Sequence, residues 1–548
     1  MQQPDFSRLS PPRCDRITIP ATLPAMHSRT RVILMLLLFA LLPVAAIWIP
    51  AHFATQDGPA HLYNASILGE DLRGHGVYST AYRVERRFMP NVAGHWILAA
   101  LMNAVEPLVA DRIMITLTSI GLALSTLLLR FTVARSISVP LVALAVTLSL
   151  NRLWLLGFYN FLLGAIVFAL TLAYWWKRRH SLNVGDSVAL AGLLIMNYLC
   201  HPVSCGAVIL GVLTLAGLTP TKRRMRTILL TILAFLPLLP FLIAYQRMLL
   251  SHGSVAPDYR QQTMTDWLQR LHRIKFLSLS STSNLPFTEI RSSLAFLIAP
   301  ALLVVVGILV LMWKEKTTPE IWREERRPWM VLAIVLFVAA VFGPPTLGAA
   351  HGDFLRERLF ALATIAGFPL LPATSPSRKS RIASILFFGA FTLQTAFVWD
   401  YARFSSHRIS PLIATAHTLD TNRSILGYVV KSESKFRASP DLHALTLLGV
   451  GNGNVVWNNY EADLYYFPVK FRQPLSPCDE TTMRPLHFVN VEGLSARRTI
   501  EARAFLCVAR KNRSRLNTLV VEGVGAKLDP WLTDWRPRNG ANGVRVYE

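Results

Sequence analysis

Long apolar runs recur along this chain, and they restrict its fold more than any other feature. A run of roughly 17 to 25 apolar residues can cross a hydrocarbon core about 30 Å thick as a helix. Inside hydrocarbon a backbone must satisfy its own hydrogen bonds, and a helix does so within one segment. We therefore predict an α-helical polytopic membrane protein with about eleven transmembrane helices. The predicted spans lie near residues 32–50, 113–131, 137–151, 154–176, 187–200, 203–218, 227–246, 292–313, 329–347, 358–373 and 382–399.

The composition excludes an ordinary soluble protein. Hydrophobic residues make up 52% of the 548 residues and charged residues only 16%, and the mean hydropathy is +0.38. The formal net charge is +24. This charge does not indicate nucleic-acid binding, because the basic residues cluster between apolar runs and form no stripe interleaved with aromatic residues.

These clusters of Lys and Arg predict the orientation, since loops rich in them stay in the cytoplasm. The stretch Val92–Val109 is assigned as an interfacial helix, because a further span there would move the cluster at residues 177–179 outside. His95 within that stretch would also be costly to place in lipid. The clusters placed in the cytoplasm are Lys177–Arg179, Lys222–Arg226, Lys314–Arg327 and Arg378–Arg381.

The resulting organisation has an inside amino terminus and an outside carboxyl terminus. We predict a cytoplasmic tail at residues 1–31, a transmembrane domain at 32–399 and an external C-terminal domain at 400–548. The last region has a soluble composition and strand-like runs, which predicts a small mixed α/β domain of roughly 100 to 150 residues. Two external loops are expected, at 51–112 and 247–291. Alternatively, the first apolar run is a cleaved signal sequence, which would leave the other spans unchanged.

The five cysteines show no C-x-x-C spacing of the kind that binds zinc. They are Cys14, Cys200, Cys205, Cys478 and Cys507. Cys478 and Cys507 both fall in the predicted external domain, where an oxidising compartment would allow a disulfide between them. Cys200 and Cys205 are interpreted as buried residues at a helix junction.

The leading functional candidate is Asp57, which closely follows the first apolar run in the stretch Thr55–Tyr63. A carboxylate beside a membrane helix and in a partly dry cleft can act as a general base. His61 lies four residues later, so on a helix the two share a face and could bind one metal ion or one substrate hydroxyl. The alternative is structural. Pro59 suits a first helical turn, so Asp57 would be an N-cap and His61 a surface residue.

The first loop resembles a known enzyme family. The stretch Phe88–Trp96, followed by Ala110-Asp111-Arg112, is similar to the same region of lipid A aminoarabinose transferases, which belong to the GT-C superfamily of membrane glycosyltransferases. The order of predicted elements resembles that superfamily over nearly the whole chain. The chain also resembles uncharacterised bacterial membrane proteins with an Asp-Gly-Pro-x-His type motif. The resemblance implies a bacterial inner-membrane enzyme that moves a sugar from a polyprenyl-phosphate donor to a glycan, lipid or protein acceptor on the external face, with Asp57 as base.

Two features depart from the superfamily pattern. GT-C enzymes commonly carry a pair of acids in the first loop, whereas Gly58 follows Asp57 here, and the next acids are Glu70, Asp71 and Glu85. Met89 stands where the aminoarabinose transferases have a basic residue before the loop proline. These departures put the phosphate contact in question, and Arg86 and Arg87 are the nearby residues that could replace it.

Further candidates for substrate binding are basic or titratable residues in the predicted external regions. Arg356 and Arg358 are the preferred phosphate ligands, because an arginine fork binds phosphate oxygens in a bidentate manner. Their alternative role is that of interfacial anchors paired with nearby acids. The remaining candidates are Glu85, Arg86, Arg87, His95 and His201. The alternative for His201 is a structural histidine at a helix junction.

Several reaction classes lack their motifs. The chain has no Walker motif, no Gly-x-Gly-x-x-Gly fingerprint and no His-Glu-x-x-His, so ATP-driven transport, nicotinamide chemistry and zincin proteolysis have no support. The expected mechanism is metal-independent and inverting. No cofactor is firmly predicted, and a divalent metal is left open.

Two other classes of function stay open beside the enzyme. A transporter or flippase for lipid-linked glycans would place polar residues along a path through the membrane midplane. A non-catalytic assembly factor for surface polysaccharide is the third interpretation. The enzyme predicts instead that Asp57, Arg356 and Arg358 face one cleft at the membrane surface.

Overall fold

The computed structural model is mostly helical. It describes residues 25–221, 223–251, 294–313, 320–344, 354–372, 377–429, 438–476, 495–523, 532–541 and 543–548, with residues 434 and 436. The predicted tail at 1–31 and the external loop at 247–291 fall largely outside the described residues.

Within the described residues, the first half of the chain contains eleven α-helices and one strand. They are α1 (Ala25–Trp48), α2 (Gly58–Leu72), β1 (Tyr82–Val84), α3 (Ala93–Leu101), α4 (Pro107–Ala134), α5 (Val139–Ser149), α6 (Arg152–Leu155), α7 (Tyr159–Arg178), α8 (Val184–Cys200), α9 (Pro202–Leu218), α10 (Arg224–Leu233) and α11 (Leu239–Ser251).

The second half adds helices and the remaining strands. They are α12 (Leu294–Met312), α13 (Glu320–Phe342), α14 (Leu355–Gly367), α15 (Arg378–Thr418), β2 (Ser424–Val429), β3 (Val455–Val456), β4 (Val469–Phe471), α16 (Ser495–Lys511), β5 (Thr518–Glu522), β6 (Pro537–Asn539) and β7 (Val544–Tyr547). Short 3₁₀ turns at Ala444–Gly449 and Tyr460–Asp463 lie between the strands.

Local sequence explains where several helices begin. Pro59 and Pro107 lie in the first turns of α2 and α4, where a missing backbone N–H costs nothing. Helix α8 begins with a capping box, in which Asn183 and Asp186 each accept a hydrogen bond from the other's backbone N–H.

Four helical segments within the described residues are long and apolar enough to cross a membrane: Pro107–Ala134, Tyr159–Arg178, Arg224–Ser251 and Arg378–Thr418. The third consists of α10 and α11 with the 3₁₀ turn Leu236–Leu238 between them. Shorter apolar helices accompany them. The predicted class, a helical integral membrane protein, is confirmed, while the number of eleven spans stays a prediction. Helix α5 covers the predicted span 137–151 with 11 residues, or roughly 16 Å, which is about half of a hydrocarbon core.

The structure places two element boundaries differently from the sequence. The stretch predicted as one interfacial helix, Val92–Val109, contains α3 and the first turn of α4. Helix α15 has 41 residues and is therefore roughly 60 Å long. This helix continues through residue 400, where the external domain was expected to begin. Its apolar segment passes directly into a polar helical segment, and no proline occurs in the helix before Pro411.

The residues after α15 form a five-stranded mixed sheet in the order β3-β2-β5-β7-β6. β2 pairs in parallel with β3 and β5, and β7 pairs antiparallel with β5 and β6. Helix α16 packs on this sheet, with the Phe505 ring stacked 5.3 Å from that of Tyr428. The assignment of this region as a separate external domain stays a prediction. Cys507 is disulfide-bonded, and Cys478, its predicted partner, lies outside the described residues.

The first loop and the C-terminal region are joined directly. Strand β1 pairs antiparallel with β4, which aligns Tyr82 with Phe471 and Val84 with Val469. Helix α2 packs against α3 and the Ala444–Gly449 turn and is buried at each residue from Gly58 to Gly69. These contacts bring residues about 400 positions apart in the sequence to one place.

A buried ion pair holds the C-terminal region against α15. Arg408 Nε donates to Asp441 Oδ2 over 2.9 Å, and Ser439 Oγ donates to Asp441 Oδ1 over 2.7 Å. The Asp441 side chain is 1% exposed, so its charge depends on these partners.

Arg408→Ala should lower the free energy of unfolding by about 3–5 kcal/mol, because it leaves the Asp441 carboxylate buried without its cation. Arg403 lies on the same helix but is exposed, so Arg403→Ala is the matched control and should cost less than about 0.5 kcal/mol. Thermal unfolding of the purified protein in detergent measures both. Equal melting temperatures for the two variants would show that the pair is not stabilising.

Candidate functional site

Asp57 is held between α2 and the turn after α6. The backbone N–H of Gln56 donates to Leu155 O over 3.1 Å, and that of Asp57 donates to Leu156 O over 3.0 Å. Asp57 occupies the N-cap position of α2, but its side chain makes no capping hydrogen bond. The carboxylate is therefore buried at the start of the helix without being used to cap it.

Side chains from its own loop and from the C-terminal region contact the Asp57 carboxylate. Gln56 Nε2 donates to Oδ1 over 3.4 Å. Tyr460 donates its hydroxyl to Oδ2 over 3.3 Å, and His443 Nε2 lies 3.6 Å from Oδ1. The rings of His443 and Tyr460 stack with centroids 4.2 Å apart. Burial raises the pKa of Asp57 to about 6, with His61 opposing the rise and Glu461 adding to it. Asp57 therefore changes protonation close to neutral pH.

A second buried carboxylate stands beside Asp57. Tyr159 donates its hydroxyl to Asp111 Oδ1 over 2.6 Å, and the Thr55 hydroxyl lies 3.1 Å from that of Tyr159. Thr55 Oγ1 also accepts the backbone N–H of Gly58 over 3.1 Å. A chain of hydrogen bonds thus runs from the residue after Asp57 to Asp111. In the sequence Asp111 stood out only through the family resemblance.

The third acid, Glu461, lies between two histidines. His61 Nδ1 is 2.5 Å from Oε1 and His95 Nε2 is 2.8 Å from Oε2. The two histidine nitrogens are 3.3 Å apart. Burial alone would raise the pKa of Glu461, but the two histidines outweigh it and lower that pKa far below its usual range. Burial alone would lower the pKa of His61, and Glu461 and the other nearby carboxylates raise it instead.

Within the described residues, His61, His95 and Glu461 form a group with the composition of a metal site, and all three are buried. Their ligand atoms lie within 4.8 Å of one another. Two imidazoles and a carboxylate are a ligand set that zinc and other divalent transition metals accept. The sequence paired His61 with Asp57 for a metal, whereas the structure pairs it with His95 and Glu461.

Aromatic rings and one lysine surround this group. The ring of Phe467 lies 5.6 Å from that of His95, and the ring of Tyr159 lies 5.4 Å from that of His61. Lys470 is 8% exposed. Burial lowers its pKa to about 8, although Glu85 and Glu461 oppose the shift. A protonated amine therefore lies near the buried acids at neutral pH.

The other predicted site residues have varied positions. His201 accepts the backbone N–H of Val203 at Nδ1 over 3.1 Å and so caps α9, which is the structural role considered for it. Arg356 Nε donates to Gly343 O over 2.8 Å. The Arg358 guanidinium lies over the rings of Phe158 and Phe161, at 4.8 and 5.7 Å from their centroids.

The charged residues before α3 lie nearer to the surface. Arg86 and Arg87 are exposed, and Arg86 pairs with Asp71 over 2.8 Å. Glu85 is half-buried and lies 3.7 Å from Arg83. Of the predicted site residues, the structure therefore brings together Asp57, His61 and His95. The interpretation of His61 as a surface residue is wrong, because this residue is only 5% exposed. Roles for the others stay predictions.

Sequence reasoning missed the C-terminal half of the site, which includes Glu461 and His443. Tyr460, which donates to Asp57, belongs to the same half. These residues carry no motif, and nothing in their spacing links them to Asp57. The pairing of β1 with β4 is what brings them into contact.

Comparison with known proteins gives a likeness of fold. No family model matches the chain. UPF0761 membrane proteins of Neisseria meningitidis serogroups B and C are 28% identical over 149 residues, which is 26% of this chain and 34% of theirs. The match thus spans about a third of the length of these curated relatives.

Among solved structures, the arabinofuranosyltransferase AftD from Mycobacteria aligns with 95% of this chain and 40% of its own, at 12% identity and a TM-score of 0.50. ArnT from Cupriavidus metallidurans in the apo state aligns with 95% of this chain and 98% of its own, at 13% identity and a TM-score of 0.43. At 12% identity, the AftD alignment shows a likeness of fold, as the resemblance in the sequence predicted.

Gly58→Ala should disrupt the packing around Asp57. A Cβ at Gly58 would lie 2.5 Å from Thr55 Oγ1 and 2.7 Å from the Tyr159 hydroxyl, so the hydrogen-bond chain to Asp111 must shift. We expect a loss of about 1–3 kcal/mol in stability. A Cβ at Gly192, within α8, would meet nothing within 4 Å, so Gly192→Ala is the control. Thermal unfolding compares them, and a Gly58→Ala protein as stable as the control would contradict the close packing.

Proposed function

We propose that this chain is a membrane glycosyltransferase that moves a sugar from a polyprenyl-phosphate-linked donor to an acceptor hydroxyl, with Asp57 as the general base. The main support is the state of Asp57, a buried carboxylate with a pKa raised to about 6. Its place at the start of a buried helix beside the membrane spans suits a lipid-borne donor. The likeness of fold to the arabinofuranosyltransferase AftD supports the same class of reaction.

The raised pKa suits a base that works near neutral pH. At pH 7 most Asp57 carboxylates are ionised, and each accepts a proton more readily than an ordinary aspartate. In the proposed step the acceptor oxygen attacks the anomeric carbon while its proton passes to Asp57. The bond from that carbon to the phosphate oxygen breaks on the opposite face, the configuration inverts, and polyprenyl phosphate leaves with the electron pair.

The leaving phosphate requires positive charge or hydrogen-bond donors. We assign this role to Arg356 and Arg358, in the first turn of α14, where the helix dipole also favours an anion. The Arg358 guanidinium lies 4.8 Å from the ring centroid of Phe158, which precedes Tyr159 in the sequence. Lys470 is a further candidate for this contact because it is cationic at neutral pH.

The reaction is proposed to take place on the external face of a bacterial inner membrane. The support is the distribution of Lys and Arg clusters, which favours the cytoplasm for the loops opposite Asp57. The C-terminal region would then lie outside, where Tyr460 and His443 complete the surroundings of the base. A role for this region in binding the acceptor is part of the same proposal.

Asp57→Asn should reduce transfer by about 10²- to 10⁴-fold, because the amide cannot accept the acceptor proton. The native cell supplies the assay. In a strain that carries only the variant, the glycan or glycolipid made by this protein should disappear while the protein level is unchanged. Asp71→Asn is the control, since Asp71 is a partly exposed acid on the same helix. Full product from the Asp57→Asn strain would refute a catalytic role.

The stability of the native protein, compared with that of the Asp57→Asn variant, should depend on pH in a defined direction. The pKa of Asp57 is raised from 3.8 to about 6 on folding. Its contribution to stability is therefore complete below pH 3.8 and is lost as the pH rises through about 6. Two pKa units correspond to about 3 kcal/mol.

The amide introduced by Asp57→Asn carries no charge to bury. The melting temperature of this variant should therefore rise relative to that of the native protein as the pH increases from 5 to 8. Thermal unfolding in detergent at several pH values measures the difference. A difference that does not change with pH would mean that Asp57 is not a buried carboxylate of raised pKa.

A further inference from the structure

We propose that His61, His95 and Glu461 hold a divalent transition-metal ion of the zinc type, which fastens the C-terminal region to α2 and α3. This ion is not part of the transfer step proposed above, and the two proposals can fail separately. The three residues come from α2, α3 and the Tyr460–Asp463 turn. Their side chains meet although Glu461 lies 366 residues from His95.

The spacing of the donor atoms suits one small cation. His61 Nδ1 and His95 Nε2 are 3.3 Å apart, and each lies within 2.8 Å of a different oxygen of Glu461. Metal bonds of about 2.0–2.2 Å place tetrahedral ligand atoms roughly 3.3–3.6 Å apart. The two nitrogens already have this separation, and a small outward movement of the carboxylate gives it the same.

Protons alone satisfy one of these two contacts. His95 Nε2 and Glu461 Oε2 lie 2.8 Å apart in a hydrogen bond. The contact between His61 Nδ1 and Oε1 does not have hydrogen-bond geometry.

The Glu461 carboxylate supplies an independent sign. Its Oε1 atom is buried and has no directed hydrogen bond from any described residue, although His61 Nδ1 is 2.5 Å away. A buried carboxylate oxygen is normally hydrogen-bonded. Here the oxygen lies 2.5 Å from His61 Nδ1 without a hydrogen bond to it, and a cation bound by both atoms would give each of them a partner.

The surroundings favour a positive charge and exclude water. Glu461 and His95 are 0% and 1% exposed. The carboxylates of Asp57 and Asp111 lie close enough to act electrostatically on His61. Phe467 and Tyr159 cover the histidine rings. A buried cation here would be stabilised by three carboxylates.

The ion would also position the proposed base. Glu461 follows Tyr460, whose hydroxyl donates to Asp57. Fixing Glu461 on His61 and His95 therefore fixes the tyrosine that contacts Asp57. Two imidazoles and one carboxylate favour zinc over magnesium or calcium, which prefer oxygen ligands.

The test is the metal content of the full-length protein, purified in detergent without chelator and equilibrated with zinc. Mass spectrometry of the metals should find about one zinc ion per chain. Glu461→Gln and His95→Asn should each retain less than about a tenth of it. His75→Asn is the matched control, because His75 is an exposed histidine that pairs with Glu70, and it should keep the full content. Size-exclusion chromatography confirms that each variant is folded.

A second measurement covers the case in which the variants do not fold. Removing zinc from the native protein with a strong chelator should lower its melting temperature, and one equivalent of zinc should restore it. Cobalt added in place of zinc should give the visible absorption of a tetrahedral site. Zinc below stoichiometric amounts in the native protein, or equal contents in Glu461→Gln and His75→Asn, would overturn the proposal. Asp57→Asn should keep its zinc while losing transfer, which separates this proposal from the proposed function.

Discussion

The structure around the candidate site depends on one buried carboxylate, that of Glu461. A carboxylate that is fully buried is very costly unless cationic or hydrogen-bonding groups surround it. His61 and His95 supply those groups from two helices of the first loop. If the C-terminal region separated from the first loop, the Glu461 carboxylate would lose both histidines, and both histidines would lose their carboxylate. The β1–β4 pairing adds backbone hydrogen bonds to the same junction.

Burial changes the pKa values of the acids in the site, and it lowers the stability of the fold. Asp57, Asp111 and Glu461 are all buried in one region, yet their surroundings differ. Glu461 has two histidines and stays ionised, whereas burial dominates at Asp57 and raises its pKa. Groups with separate pKa values can take separate roles, so a fixed negative charge and a proton acceptor stand side by side. Such perturbed groups are commonly found at functional sites.

Much of the fold class was predictable because the relevant signals are local. The apolar runs that predicted membrane helices are continuous in sequence, and helix hydrogen bonds close within four residues. Pro59 marked a helix start in the same local way. The limits of prediction came from packing. The 11-residue length of α5 and the continuation of α15 beyond its apolar segment are not encoded by hydropathy alone.

The sequence by itself determined that this is a helical membrane protein and that Asp57, His61 and His95 lie in its first loop. Only the tertiary structure decided that Glu461, Tyr460 and His443 complete their surroundings. The physical reason is distance along the chain. Tyr460 is 403 residues from Asp57, so their contact depends on packing and strand pairing between distant segments rather than on any periodicity. A single sequence carries local hydrophobic patterns directly, but it reveals long-range complementarity only once the chain is folded.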